Sequence, residues 1–580
     1  MTKPSAYVFF PSPKPRPKDM MAKVVRSIPS DLLRKFTHLR IYVEQLSKED
    51  TEILYFEQLS RDLRNMRKFS IIYPVGDPIF IHVKSRASER VMYTVVSPFS
   101  VFSPELMTLV ERGIAPLISP EMDFKNREEH EQIINDLLDQ FIVVDESLDD
   151  MEYRPVIRKG IVSRLLANSR TAELIKYSTV LEKVYLGALE PFIRDPYIED
   201  VSCDGVGPIF VEHKIFGSCE TNIRFKDHEE LDSFVERLAE RIDKPVNYRK
   251  PIVDASLPDG SRINIVYGSD VSRHGSNFTI RKFSDKPVSI ADLVNWGTLS
   301  SLEAAYLWIM MEHGMSTWFC GETASGKTTA LRAASVFINP RAKIVSIEDT
   351  PEIVVPHDNW IREVTRQGEK GEGDITLFDL LKSALRQRPN YIIVGEIRGA
   401  EASVAFQAMQ TGHPVLATFH AGSVEKLIQR LTGDPINIPK TYVDILNCVL
   451  IQSAVRLPSN GRVERRVLSI NEMVGYDPST GRFDYIELFN WDSGSDSHIF
   501  RGEGNSFLLE NKVRTMLGLS TRESRKIYED LRRRARLIEL MVERKATEFE
   551  KVWEMVKMAN DHGVQQVLEM VEEGRKVWRS

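Results

Sequence analysis

The segment with the strongest chemical signature is Gly321-Glu-Thr-Ala-Ser-Gly-Lys-Thr328, in which two glycines frame a loop that ends in lysine and threonine. This spacing, between a short apolar strand and a helix, is typical of a loop that wraps phosphates with backbone N–H groups. Lys327 is expected to reach the β and γ phosphates and Thr328 to ligate Mg²⁺, so ATP and Mg²⁺ are the predicted ligands. The predicted nucleotide-binding residues are Gly321, Glu322, Thr323, Ala324, Ser325, Gly326, Lys327, Thr328 and Thr329.

Two carboxylates follow later apolar strands. The strand at residues 343–347 runs into Glu348, and the strand at residues 391–395 runs into Glu396. Parallel strands bring such side chains to the carboxyl edge of the sheet, where ligands of open α/β sheets bind. One carboxylate would hold the metal or its water shell, and the other would orient and deprotonate the attacking water. The sequence leaves open which of the two is the base, and Glu396 joins Thr328 as a predicted metal ligand.

Two histidines bracket a fourth apolar strand. His413 precedes the strand at residues 415–419 and His420 follows it. Because this strand comes after three other phosphate-site elements, we predict that the histidines sense the γ-phosphate, with a weaker case for His413, which Pro414 follows. A developing phosphoryl charge also favours arginine, and we select Arg398 for a catalytic role. The other candidates are Arg281, Arg386 and Arg388, some of which could act on a neighbouring subunit.

The elements around these residues predict an α/β fold. Between residues 316 and 475, apolar runs of strand length alternate with helical segments, which is the pattern of a parallel-rich sheet covered by helices. We predict a flexible proline-rich extension at residues 1–30, an N-terminal α+β domain at residues 31–285, and a C-terminal ATPase domain with a helical end at residues 286–580. The polar, proline-containing stretch at 284–290 is the candidate linker.

Two helical patterns lead to further expectations. Residues 171–189 have apolar side chains at helical spacing, and Pro191 and Asp195-Pro196 are interpreted as stop signals. After residue 511 the chain becomes helical, and an apolar stripe between Ile527 and Val542 is expected to pack on the ATPase core. The arginines of that helix are assigned to a solvated face, with a protein partner or anionic lipid as the alternative; they are Arg532, Arg533, Arg534 and Arg536.

Composition limits the possible partners. The 580 residues are 42% hydrophobic and 28% charged, and 77 basic against 83 acidic residues give a net charge of −6. The absence of a basic excess argues against nucleic acid as the main partner. Apolar runs are shorter than the roughly 20 residues of a membrane-spanning helix. The 4 scattered cysteines form no C-x-x-C pair, which favours a reducing, cytoplasmic setting.

Four motifs in succession resemble those of the secretion ATPases of type II secretion, type IV pilus and archaellum machines. They lie at residues 321–328, 347–352, 392–399 and 411–420. In that family they are the Walker A, aspartate-box, Walker B and histidine-box motifs of a RecA-like P-loop domain. Residues 195–205, 384–390 and 435–439 are similar to the archaeal branch, which agrees with the missing tetracysteine motif.

The resemblance implies a homo-hexameric ring in which each nucleotide sits between an N-terminal and a C-terminal domain. It also implies docking on a polytopic membrane platform protein, with the ATPase peripheral on the cytoplasmic face of the cell membrane. The first hypothesis for function is therefore a Mg-dependent ATPase motor that assembles or rotates an archaeal pilus-like filament or serves related secretion. The alternatives are an ATPase that moves DNA or protein, and a nucleotide-gated scaffold with little turnover.

Overall fold

The computed structural model describes residues 28–46, 53–60, 63–64, 66, 68–85, 90–98, 104–119, 122, 126–158, 161–282, 287–366, 373–458 and 461–574. The chain forms two compact units, Met1–Ser284 and Asp285–Ser580. The proline-rich extension predicted for residues 1–30 lies, up to residue 27, outside the described residues. The same holds for residues 284–286 of the candidate linker.

The first unit combines a 10-stranded sheet, a 3-stranded sheet and seven α-helices among its described residues. The strands are β1 (Leu54–Tyr55), β2 (Phe69–Pro74), β3 (Phe80–Ser85), β4 (Val91–Val96), β5 (Ile142–Val144), β6 (Tyr153–Arg158), β7 (Ile161–Ala167), β8 (Ile198–Cys203), β9 (Gly207–His213), β10 (Gly217–Phe225), β11 (Ile252–Ser256), β12 (Arg262–Val266) and β13 (Asn277–Arg281). The helices are α1 (Ser30–Lys35), α2 (Thr37–Leu46), α3 (Pro104–Ile114), α4 (Arg127–Phe141), α5 (Ser169–Lys183), α6 (Glu190–Arg194) and α7 (His228–Arg241).

The large sheet of this unit has the order β1-β2-β3-β4-β10-β9-β8-β13-β12-β11. Only the β1–β2 and β4–β10 pairs among these described strands are parallel. The small sheet has the order β5-β7-β6. Mixed, mainly antiparallel sheets with segregated helices make an α+β unit, as predicted.

The predicted end of the helix at residues 171–189 is wrong. Helix α5 stops at Lys183, a 3-10 turn follows at Gly187–Leu189, and α6 then begins at Glu190. Pro191 lies in the first turn of α6. Proline lacks only an N–H that a first turn leaves unpaired, so Pro191 starts a helix here and does not stop one.

The second unit is built on a 9-stranded sheet. Its strands are β14 (Thr317–Gly321), β15 (Ile344–Glu348), β16 (Trp360–Val364), β17 (Tyr391–Ile397), β18 (Val415–Phe419), β19 (Cys448–Arg456), β20 (Val463–Asp477), β21 (Arg482–Asp492) and β22 (Ser497–Phe500). The helices are α8 (Ile290–Asn295), α9 (Ser301–Glu312), α10 (Lys327–Ala334), α11 (Leu377–Arg386), α12 (Glu401–Gln410), α13 (Val424–Thr432), α14 (Arg514–Met516), α15 (Arg525–Glu543), α16 (Phe549–His562) and α17 (Val564–Glu572), with a π-helical segment at Leu508–Val513.

The strand order of this sheet is β16-β15-β17-β18-β14-β19-β20-β21-β22. The first six strands are parallel, and the last three continue the sheet antiparallel. Strands β14, β15 and β18 are buried along their whole length, as expected for parallel strands covered on both faces. The predicted parallel-rich α/β domain is confirmed, and the carboxyl ends of β14, β15, β17 and β18 meet at one edge.

The C-terminal helices belong to the core of this unit. Helices α15, α16 and α17 share one apolar cluster with α9 and one face of the sheet. The predicted stripe from Ile527 onward is buried, with Val542 packed against the cluster. None of the described helices combines the length and the apolar character needed to cross a bilayer.

Assigning Arg534 to the solvated face of α15 is wrong. Arg534 is 5% exposed, and its guanidinium lies 4.8 Å from the ring centroid of Trp308. It donates to Asp530 at 2.8 Å and also to Glu312 of α9. Two carboxylates and an aromatic face compensate the buried charge. The apolar stripe of the helix gives no sign of these partners, because two of them lie on α9.

Candidate nucleotide-binding site

The phosphate-type loop has the backbone that its glycines predict. It joins β14 to α10, with Gly326 at φ +93° and Ala324 at φ +61°. A Cβ on Gly321 would lie 2.2 Å from the carbonyl oxygen of Gln452, and one on Gly326 would lie 2.9 Å from the Gln452 amide nitrogen. The backbone contact excludes a side chain at Gly321, and the left-handed φ of Gly326 favours glycine at the other end of the loop.

The loop's donors are directed at its own interior. The Glu322 carbonyl oxygen accepts from Lys327 Nζ at 2.9 Å and from the Ser325 N–H at 3.3 Å. Burial lowers the pKa of Lys327, and the nearby Glu396 carboxylate opposes that shift. A buried ammonium beside an inward-pointing N–H at the start of a helix is a site for an anion, so the loop fits a phosphate group. Thr328 and Thr329 follow in the first turn of α10.

A β-bulge places Glu396. Strands β17 and β18 pair Val394 with Ala417 but Ile397 with Phe419, so one extra residue enters β17 at residues 395–396. The bulge lets Val394 and Ile397 both face the core, and it leaves the Glu396 side chain 25% exposed. Glu396 is held there by an ion pair with Arg398 at 2.5 Å. The hydrogen bond that Arg398 donates to this carboxylate raises the pKa of Arg398.

Glu348 is the most perturbed carboxyl group of this edge. Its Oε1 accepts from the N–H groups of Glu352 and Ile353, both at 2.8 Å, while its Oε2 is buried without a hydrogen-bond partner. Burial raises the pKa of Glu348 to about 7, against the lowering effect of the two N–H donors. Gly395 passes so close that a Cβ there would lie 3.1 Å from Glu348 Cγ. Glu348 and the bulge that carries Glu396 are therefore neighbours.

His420 lies against the loop. Phe419 pairs with Cys320, so the next residue emerges beside Gly321, and His420 Nε2 is 3.2 Å from Thr323 Oγ1. Burial lowers the pKa of His420, and the charge of Lys327 lowers it further. The imidazole is thus kept neutral near pH 7, able to exchange a hydrogen bond with the loop or its ligand.

The structure does not bring His413 to this site, which contradicts its predicted place there. His413 precedes β18 and His420 follows it, so the strand separates them by about 23 Å at roughly 3.3 Å per residue. His413 Nδ1 is instead 3.1 Å from Thr411 Oγ1, at the amino edge of the sheet. Arg386 and Arg388 precede β17 at that same edge. Arg281 belongs to the other unit, where it pairs with Asp200 at 3.7 Å.

The two histidines therefore predict different phenotypes. We expect His420→Ala to lower ATP turnover by about 10-fold or more, because a neutral donor is lost beside the loop. His413→Ala is the matched control, since it removes the same ring from the opposite end of the same strand. It should leave turnover within about twofold of wild type. Steady-state phosphate release measures both, and equal losses in the two variants would contradict this placement.

The family model described as type II/IV secretion system protein matches residues 182–575. The chain belongs to this family. The resemblance drawn from the four motifs is thereby confirmed, and the matched range covers the whole sheet of the second unit together with α15, α16 and α17.

Individual relatives of this type II/IV secretion protein differ in how much they share. An uncharacterized protein of Methanocaldococcus jannaschii is 43% identical over 92% of this chain and 97% of its own length. The type IV secretion system protein VirB11 of Bartonella quintana is 28% identical over 45% of this chain and 83% of its own. The crystal structure of the pilus retraction motor PilT with bound ADP is 20% identical, with a TM-score of 0.35, over 48% of this chain and 81% of PilT.

Several residues of this secretion-family site were missed from the sequence. Gly395, inside an apolar strand, was the signal of a bulge or of a close approach. Thr418 Oγ1 donates to the Gly395 carbonyl at 2.5 Å and steadies the bulge. Arg430 donates to the His420 carbonyl, with its guanidinium 4.9 Å from the Phe419 ring centroid. No motif marked Arg430, which reaches the site from helix α13.

The donor set for a metal is small. Among the described residues no three His, Cys, Asp or Glu side chains cluster as a metal site. Magnesium beside a triphosphate needs no such cluster, because phosphate oxygens and waters fill most of its coordination sphere. The Thr328 hydroxyl and the Glu396 carboxylate, at the loop and the bulge, are oxygen ligands of the kind Mg²⁺ prefers, so the residues fit that ion.

Proposed function

We propose that this chain hydrolyses MgATP and couples hydrolysis to domain motions in a ring-shaped motor. The observation that carries the proposal is Glu348, whose one oxygen is held by two N–H groups while the other is buried and unpartnered. A carboxylate with a pKa of about 7 is matched to accepting a proton from water at neutral pH. A loop that only bound nucleotide would not need such a group.

The two carboxylates take different roles in this proposal. Glu348 is the general base, because its free oxygen and raised pKa suit proton transfer. Glu396 pairs with Arg398 and contributes an oxygen ligand for the metal, together with Thr328. Bound Mg²⁺ would supply charge neutralisation on the phosphate oxygens. Lys327 and the loop N–H groups bind and orient the phosphates, and His420 and Arg398 respond to the γ-phosphate.

Family membership supports a role in a membrane-associated machine. We propose that the chain acts as a homo-hexamer on the cytoplasmic face of the cell membrane, docked on a polytopic platform protein. The work done is assembly or rotation of an archaeal pilus-like filament, or related secretion. Support comes from the family description, which spans type II and type IV secretion, and from the relatives in Methanocaldococcus jannaschii.

The test is a turnover measurement on the full chain. ATP hydrolysis is followed with Mg²⁺, with and without vesicles of anionic phospholipid, for wild type and Glu396→Gln. We expect Mg-dependent turnover in wild type, a loss of about 100-fold or more in the variant because a metal ligand loses its charge, and a hexamer by light scattering. Glu396→Gln keeps the size of the side chain and removes its charge, so its melting temperature serves as the folding control.

Other results of this measurement would favour one of the two alternative functions. Nucleotide binding without measurable turnover in wild type would replace the motor with a nucleotide-gated scaffold. Stimulation by single-stranded DNA with a steep dependence on salt would favour an ATPase that moves DNA. Stimulation by anionic vesicles alone supports the membrane motor.

A further inference from the structure

An arginine outside the predicted motifs holds the tip of the phosphate loop. Arg465 lies on β20, two strands from β14, and its Nε donates to the Ala324 carbonyl oxygen at 3.2 Å. Its Cδ also lies 3.5 Å from the place where a Cβ on Gly326 would be. Arg465 thus touches the loop from outside, at the tip and at the second glycine.

The contact has a geometric consequence for the loop. In a trans peptide unit the C=O and the following N–H point in opposite directions. A donor that holds the Ala324 carbonyl outward therefore turns the Ser325 N–H inward. That N–H does point inward, because it donates to the Glu322 carbonyl oxygen that also receives Lys327 Nζ. The orientation of the Ser325 N–H is thus linked to the Arg465 side chain on β20.

The tip needs such an anchor. Ala324 has a φ of +61°, a left-handed conformation that non-glycine residues adopt at a cost of about 1 kcal/mol. Within the described part of the chain, Arg465 forms no ion pair with a carboxylate. Its hydrogen bond to the loop is therefore not a by-product of a surface salt bridge.

We propose that Arg465 is a positioning residue for the nucleotide, acting through its Nε hydrogen bond on the peptide between Ala324 and Ser325. Arg465 holds the Ser325 N–H in the orientation in which it can donate to a phosphate oxygen, once the nucleotide displaces the Glu322 carbonyl oxygen. This inference rests on the proposed ATPase function and extends it to a residue of β20. Because the donor serves the bound nucleotide before and during reaction, its loss raises KM more than it lowers kcat.

Two neutral substitutions isolate the hydrogen bond from the charge. Glutamine places its amide nitrogen as many bonds from Cα as the Nε of arginine, so Arg465→Gln keeps a donor at that position. Arg465→Met keeps a side chain of similar length and removes the donor. Both variants lose the positive charge, so any difference between them reports the donor alone.

The experiment measures KM for ATP, kcat and the affinity for a fluorescent ADP analogue in the full chain. We expect Arg465→Met to raise KM and the dissociation constant by about 10-fold relative to Arg465→Gln, with kcat within about twofold. Melting temperatures of the two variants should agree, because Arg465 is exposed. Equal KM values for the methionine and glutamine variants would overturn the inference, as would equal loss of kcat and affinity.

The outcome separates this inference from the proposed function. If Lys327→Ala hydrolysed ATP as fast as wild type, the assignment of the nucleotide site would be wrong. If turnover depended on Lys327 but Arg465→Met and Arg465→Gln had the same KM for ATP, only the positioning role of Arg465 would be contradicted. If turnover depended on Lys327 and Arg465→Gln bound nucleotide more tightly than Arg465→Met, both the proposed function and the positioning role would be supported.

Discussion

Replacing Lys327 with alanine is expected to abolish ATP hydrolysis and to weaken nucleotide binding, while the fold stays intact. The Lys327 ammonium is buried in the loop, where its partner is the Glu322 carbonyl oxygen that a phosphate would displace. Removing it takes away the charge that faces the β and γ phosphates, and a loss of about 100-fold or more in turnover follows. Phosphate release and binding of a fluorescent ADP analogue measure the two effects.

The chain offers a matched control for this variant. Lys426 lies in the first turn of α13, which follows β18 at the same edge of the sheet, but its side chain is exposed. Lys426→Ala should keep turnover within about twofold of wild type. Burial lowers the pKa of Lys327, so its charge is not a source of stability and Lys327→Ala should melt no lower than wild type. Unchanged hydrolysis in Lys327→Ala would contradict the site.

Replacing Glu348 with glutamine is expected to lower kcat by about 100-fold to 10,000-fold while nucleotide binding is retained. Glutamine can still accept the two N–H donors through its Oε1, but it cannot take a proton from water. Wild-type kcat/KM should rise about 10-fold per pH unit below pH 7 and level off above it, because the base works only when deprotonated. The glutamine variant should lose this pH dependence.

The same substitution has a distinct effect on stability. The folded-state pKa of Glu348 is about 7, above the ordinary value of 4.5, so the folded chain binds this proton more tightly than the unfolded chain. Its contribution to folding is therefore present at low pH and is lost as pH rises from 4.5 to 7, by about 3 kcal/mol. Glu348→Gln removes this pH-dependent loss of stability. Relative to wild type, the variant should therefore have a higher free energy of unfolding at pH 8, by more than any difference at pH 5. Denaturant titrations at both pH values measure this difference.

Glu352→Gln is the control for both measurements. Glu352 is four residues further along the same turn and donates its N–H to Glu348, which the substitution leaves in place. Turnover within a few-fold of wild type is expected there, with an unchanged pH profile. If Glu352→Gln instead reproduced the loss seen in Glu348→Gln, the base would have been assigned to the wrong residue.

The sheet around the site could be predicted because its strands are buried on both faces. Residues 317–320, 343–347, 391–395 and 415–419 are mainly apolar runs, and each overlaps a strand that the structure describes. Parallel strands that end in Gly321, Glu348, Glu396 and His420 must present those ends together. The loop, both carboxylates and His420 could therefore be placed at one edge from spacing alone.

The remaining features depend on contacts between distant segments. The bulge at residues 395–396 exists because Val394 and Ile397 both pack in the core, which a single strand does not reveal. His413 was assigned to the site because it belongs to the same motif as His420, although the strand between them sets them at opposite edges. Arg465 and Gln452 reach the loop only through the register of β19 and β20. Pro191 shows that one residue type can stop or start a helix, depending on the turn before it.

The burial of Arg534 determines how far this molecule can be shortened. Helix α15 supplies the cation that neutralises Glu312 and the group that covers Trp308, both on the helix that leads into the phosphate-loop strand. A truncation before residue 525 would leave that carboxylate without its cation and expose an apolar surface on α9. We therefore expect the core that carries the motifs to unfold together with its C-terminal helices, and a chain that ends before residue 525 to melt at a lower temperature than the full chain.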